Sequence, residues 1–298
     1  MKQNSSGSYM MLIGAMLIFG TIGIFRRYIP LSSGVLAFTR GILGAMVLLV
    51  FIKIKKRRLC NGIGIKKVLL LALSGALIGA NWILLFEAYN YTTVATATLC
   101  YYMEPTIVLL LSPLIFRERL TLKKGICAIV SIAGMVFISG ILSGSVLQLS
   151  DIRGVLLGLG AAVLYSSVVI LNKLIPIEDA YEKTIIQLLA AAIVMIPYLL
   201  LTENFADLQF TALSIVMILI VGIIHTGIAY ALYFASLQKL KGQSIAVLSY
   251  IDPVFALILS AVVLQEKLTV LGIIGAVMII GSALVSEVKF QKTKNSTL

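Results

Sequence analysis

Ten apolar runs of 17 to 26 residues, parted by short polar breaks, leave this chain few folds to choose from. They lie near Tyr9 to Phe25, Gly34 to Ile52, Val68 to Ala88, Val94 to Phe116, Leu122 to Leu142, Gly154 to Leu174, Thr184 to Leu201, Ala212 to Leu237, Ser244 to Leu264 and Leu268 to Val285. An α-helix rises about 1.5 Å per residue, so roughly 20 apolar residues cross a bilayer core about 30 Å thick. Ten such crossings with short loops nearly exhaust 298 residues and leave no room for a soluble catalytic domain. Only 12% of the residues are charged, about half the usual share of a soluble domain, and 60% are hydrophobic. A transmembrane barrel needs alternating polarity, which these continuous runs lack. The expected fold is an all-α integral membrane protein with ten transmembrane helices.

The first run follows a single basic residue, Lys2. It lacks a convincing small-x-small cleavage site and leads straight into further spans, so it reads as a retained helix. The three cysteines are an odd number: Cys100 and Cys127 lie in apolar runs and Cys60 in a basic loop, so neither a disulfide framework nor metal-ligand spacing emerges. No cofactor is expected. The net charge of +12 does not point to nucleic acid, because the basic residues are spread over the loops. With the N-terminus inside, 19 of the 24 Lys and Arg residues fall in inner segments, four outside and one, Arg40, within a span. The positive-inside rule accounts for this bias. It predicts a multi-pass protein of the plasma membrane, the inner membrane in a Gram-negative cell, with both termini cytoplasmic and lipids around it.

The chain also repeats itself. A shift of 148 residues lays Tyr102-Met103-Glu104-Pro105 on Tyr250-Ile251-Asp252-Pro253, and Arg117-Glu118-Arg119-Leu120-Thr121 on Gln265-Glu266-Lys267-Leu268-Thr269. The register holds without a gap and pairs Gly79 with Gly227, Phe86 with Phe234 and Ser112 with Ser260. A duplicated unit sets the architecture: five-helix repeats over residues 9–142 and 154–287. An odd number of spans per half makes the second enter the bilayer inverted relative to the first. Inverted repeats recur in secondary transporters, whose substrates bind at the repeat interface near mid-membrane. Pro105 and Pro253 each remove a helix hydrogen bond and mark breaks at equivalent places.

Together these residues resemble the ten-helix members of the drug/metabolite transporter superfamily with two EamA-type repeats. The resemblance rests on the duplication, Arg40 in the second helix, the prolines of the fourth and ninth, and the Glu-x-Leu-Thr motifs at Glu118 and Glu266. It implies a carrier of the plasma membrane, commonly an exporter of amino acids, amines, drugs or related metabolites. The second repeat departs from the first at Arg40, where the offset falls beside Gln187.

Glu104 is the eleventh residue of its 23-residue run and Asp252 the ninth of a 21-residue run, so both sit near mid-depth. A carboxylate there is costly as an anion and reads as a functional group by default, and exchange of a proton would suit coupled transport. The bland alternative is a carboxyl bonded to backbone freed by the neighbouring proline. Arg40 is within reach of Glu87 or Glu104, or offers a planar fork to a substrate carboxylate. Trp82 and Phe86 share one helical face, as do Tyr230 and Tyr233, and either pair lines a cavity for an amine or apolar side chain or simply packs. Tyr101, three residues before Glu104, faces the same side. His225, the only histidine, is a proton relay or an ordinary hydrogen-bonded group. Thr121 and Thr269 read as N-caps, with Glu118 and Glu266 as structural neighbours. Gly75 with Gly79, and Gly154 with Gly158, permit close helix contact. The expected function is alternating-access export of a small metabolite such as an amino acid or amine, with protons as the coupling ion. Import of another metabolite, a channel and an intramembrane enzyme are the alternatives, although the Gly-x-Ser-x-Gly and His-Glu-x-x-His motifs of hydrolases are missing.

Overall fold

The computed structural model describes residues 5–55, 64–117, 120–139, 149–175, 179–205, 208, 210–237, 239–240 and 242–287. Cys60, Asn61, Glu118 and the C-terminal residues 288–298 lie outside them. The described residues are helical: α1 Ser5–Gly20, α2 Ile22–Arg27, α3 Ser33–Ile54, α4 Ile65–Tyr91, α5 Val94–Tyr101, α6 Glu104–Phe116 and α7 Leu122–Ile138. Then follow α8 Leu149–Leu174, α9 Ala180–Thr202, α10 Ala212–Leu219, a π-helical segment Ile220–Ile228, α11 Ala229–Leu237, α12 Gly242–Ser249, α13 Ile251–Val262 and α14 Val270–Glu287.

Short polar residues start these helices where the apolar runs begin. Ser32, Thr93 and Thr211 accept from the amides of Val35 (3.2 Å), Thr96 (3.0 Å) and Ser214 (3.1 Å), meeting backbone donors that a helix start leaves open. Thr121 and Thr269 cap as expected, on Lys124 at 3.4 Å and Gly272 at 3.0 Å. Among the described residues, seven helical runs are long and apolar enough to cross a membrane. Leu122–Ile138, with 17 residues, and the helices within Val247–Val262 and Val270–Ser286 are apolar but shorter than a straight crossing. Their outer faces are apolar too, with Leu122 83%, Val262 63% and Val270 74% exposed, as a surface solvated by lipid requires.

Two breaks coincide with the acidic residue and proline. One apolar run splits into α5 and α6 at Tyr102 and Met103, the other into α12 and α13 at Tyr250. Pro105 and Pro253 donate no amide to the preceding turn, so each helix restarts beside its carboxyl residue. Beyond these restarted helices stand, among the described residues, the non-glycine residues with positive φ, Arg117 at 55° and Gln265 at 54°. A left-handed residue satisfies a helix end but strains any side chain other than glycine's, and these two are 148 residues apart.

Glycines set which helices touch. The α4 helix packs on α8 and α9, α3 on α9 and the π-helical segment, α1 on α11 and α13, and α7 on α14. A Cβ at Gly79 would lie 2.9 Å from the Met195 Sδ-bound methyl, and one at Gly134 2.8 Å from the Gly275 carbonyl oxygen. Gly158 similarly lies against Cys100, and Gly154 against Thr92, so the small-residue spacings are contact surfaces.

Candidate functional site

The two helix breaks, the junction of α1 and α2, the middle of α3, α4 and α8, and Tyr230 of α11 line a cavity of about 160 Å³. Arg40 enters from α3 and is only 6% exposed. Its guanidinium lies 4.2 Å from the Trp82 ring centroid and 5.7 Å from that of Phe86, one helical turn apart on α4. Ring faces carry negative potential, so this stack replaces part of the hydration that burial removes. Arg40 Nε donates to Thr226 Oγ1 at 2.8 Å, and the Thr226 hydroxyl donates in turn to the Val221 carbonyl at 3.1 Å. The sequence pointed Arg40 toward Glu87 or Glu104. Glu87 instead accepts from Ser33 Oγ at 2.9 Å and Asn90 Nδ2 at 3.1 Å.

The opposite wall is tyrosine and carboxyl. Tyr102 donates its hydroxyl to Asp252 Oδ2 at 2.5 Å, joining the break in one run to the break in the other. Tyr101 packs against Tyr102 and Tyr165 at ring separations of 5.9 and 5.5 Å, and Tyr230 meets Phe19 edge-on at 5.4 Å. Glu104 begins α6, where its backbone carbonyl accepts from Ser166 Oγ at 3.2 Å. A second cavity of about 490 Å³ starts at Tyr102 and Glu104 and runs past Ser112 to Lys124 and Lys173. Tyr102 and Glu104 line both cavities, so they form the wall between them.

Near the first cavity a carboxylate ties three helices together. One turn beyond Thr98 and Gly23, which line that cavity, the Glu266 carboxylate gathers α2, α5 and α13. Its Oε1 accepts from Arg27 Nη2 at 2.9 Å and Val94 N at 3.1 Å, and its Oε2 from Val94 N at 2.9 Å and Ser260 Oγ at 2.5 Å. Arg27 also donates to the Thr92 carbonyl at 3.1 Å. An anion suits the open amides and positive dipole end at the start of α5.

Of the expected residues, Arg40, Trp82, Tyr101, Glu104, Tyr230 and Asp252 line the first cavity. Phe86, fully buried one turn from Trp82, does not line it but faces the guanidinium at 5.7 Å. Tyr233, one turn from Tyr230, lines the second cavity. His225 bonds through Nε2 to Thr21 Oγ1 at 2.7 Å, at the break between α1 and α2, with Phe25 edge-on at 4.8 Å. Sequence reasoning did not assign Tyr165 or Thr98 to the site, and it placed Glu266 beside a cap rather than at the junction of three helices. Among the described residues no three His, Cys, Asp or Glu side chains come together as a metal site needs.

Residues 6–140 and 152–287 each match the EamA-like transporter family. The chain is 31% identical over 297 residues to the uncharacterized transporter YxxF of Bacillus subtilis (strain 168), covering 99% of this chain and 94% of that one. It is 24% identical over 206 residues to the protein RarD of Escherichia coli (strain K12), covering 68% and 66%. A solved crystal structure matches with a TM-score of 0.65 at 19% identity, covering 94% of this chain and 96% of its own, a likeness in fold alone.

Proposed function

The chain belongs to the EamA-like transporter family, and from that premise we propose that it is an alternating-access carrier built from two inverted five-helix halves, residues 9–142 and 154–287. The three shorter apolar helices complete ten crossings, each made possible by modest tilting or thinning of the bilayer. Paired features at the 148-residue offset support the duplication: the split helices, the positive-φ residues, and contacts that recur in kind. Gly79 brings α4 onto α9, and its counterpart Gly227 brings the π-helical segment onto Val47 of α3.

The observation that carries the carrier reading is the Tyr102 to Asp252 bond. It ties one broken helix to the other at the wall between two cavities, one lined by Arg40 and aromatic rings and the other running past lysines. The cargo is a compact metabolite, an amino acid or amine, because about 160 Å³ falls short of the roughly 300–1,000 Å³ of sites for drug-sized ligands. A cation stacked on aromatics at one wall and carboxyls at the other suit a small zwitterion. Glu104 and Asp252 take up protons from one side as the cargo leaves to that side, and release them to the other, in an export cycle. Both termini are cytoplasmic, and the second cavity opens on that side, where Lys124 and Lys173 lie.

Purified protein in liposomes, offered a metabolite panel with and without a pH gradient, tests function: one member should reach saturation, and linear rates for all would contradict the carrier. Single cysteines test the layout. Impermeant maleimide should label Ser32 and Asn204 positions from outside and the Asn61 position and C-terminus from inside. Labelling of Asn61 and the C-terminus on opposite faces would refute two five-span halves.

A further inference from the structure

We propose that the terminal nitrogens of Arg40 form a carboxylate subsite in the first cavity, aimed there by the Thr226 hydroxyl; this rests on reading that cavity as the transport site. Arg40 is 94% removed from solvent yet bonds within the protein through Nε, to Thr226 Oγ1 at 2.8 Å. Its terminal nitrogens are not among the sealed, partnerless polar atoms, and Arg40 lines the cavity, so they open onto its space. Among the described residues Arg40 makes no ion pair.

The direction of the fork follows from the π-helical segment. Thr226 donates to the carbonyl five residues back, Val221 at 3.1 Å, which leaves its oxygen lone pairs toward Arg40. Close approach is allowed because Gly44 of α3 sits against Thr226, where any Cβ would collide with the threonine methyl. With Nε held and one face on Trp82, the guanidinium cannot turn about its long axis, and its two remaining nitrogens present parallel N–H donors. That geometry takes two oxygens of one oxyanion. A carboxylate monoanion balances the single cation, whereas a phosphate dianion would add negative charge opposite Asp252 and Glu104.

Trp82 is the only tryptophan, so its emission reports directly on what reaches Arg40. Full-length protein in detergent is titrated at constant ionic strength with acetate, 4-methylpentanoate, 3-methylbutylamine and inorganic phosphate. Saturable change is expected for both carboxylates and not for the amine. Thr226→Val, which keeps shape and removes the acceptor, should raise the half-saturating concentration about tenfold, and Thr226→Ser should restore it to within about threefold. Arg40→Lys keeps the charge without the fork and should also weaken binding about tenfold, which covers the case of a misfolded valine variant. No saturable carboxylate response up to about 100 mM overturns the subsite. So does an equal response to the amine, tighter binding of phosphate, or unchanged affinity in Thr226→Val and Arg40→Lys. Saturable flux of a cationic amine with no carboxylate response would remove this subsite and leave the carrier reading standing.

Discussion

Glu104→Gln and Asp252→Asn are each expected to reduce flux driven by an imposed pH gradient to the rate seen without one. Both substitutions preserve shape and remove titration. In Asp252→Asn the amide oxygen still accepts from the Tyr102 hydroxyl, now 2.5 Å from Asp252 Oδ2, so the link between the two broken helices survives. In Glu104→Gln the backbone carbonyl that takes the Ser166 hydroxyl is untouched. A fixed charge at this depth costs a few kcal/mol on insertion scales, which is why a carboxyl that gains and loses a proton during the cycle is a natural coupling group. Exchange of labelled for unlabelled substrate, which needs no net proton movement, should persist in both variants. Unchanged gradient-driven flux in both single variants and in the double variant would reduce the pair to structural acids.

Glu266→Ala is expected to destabilise the protein by about 3 kcal/mol, because it strips charged hydrogen bonds from a nearly enclosed site. The Glu266 side chain is 10% exposed and that of its partner Arg27 37%. Removing the carboxylate leaves the Val94 amide and the Ser260 hydroxyl without their acceptor and releases α5 from α2 and α13. Arg27→Ala removes only the more exposed member of the pair, and such pairs contribute about 0–1 kcal/mol. Thermal unfolding of the two variants should therefore separate them clearly. Equal melting temperatures would mean that the carboxylate does not hold the three helices together.

The apolar runs made the helices legible, since lipid tolerates almost no other backbone arrangement. Glu104-Pro105 and Asp252-Pro253 likewise announced their breaks, because proline acts on its own preceding turn whatever surrounds it. The surroundings of Arg40 were not legible. A π-helical turn differs from an α-helical one by a single residue and leaves no periodic mark, so nothing in Ile220–Ile228 foretold that Thr226 rather than a carboxylate would meet the guanidinium. Glu266 misled for a related reason. Its neighbour Thr269 does cap a helix, but the carboxylate reaches amides 172 residues away, on α5. Tyr165 stood in an apolar run without proline or charge beside it, and only the packing of α8 on α5 brings it to Tyr101. Tyr230 and Tyr233 share a helix face, yet the wall at Tyr102 and Glu104 puts them in different cavities.

Counterflow tests the central claim of one site opened alternately to either side. Proteoliposomes are preloaded with an excess of unlabelled compound, taken from the panel as the member that saturates, and then given a trace of the labelled compound outside. A carrier returns loaded more often than empty, so labelled compound should accumulate transiently above its equilibrium level, and Arg40→Gln, which disarms the cavity, should abolish the overshoot. Uptake that rises linearly with concentration, shows no overshoot and ignores preloading would contradict the carrier outright.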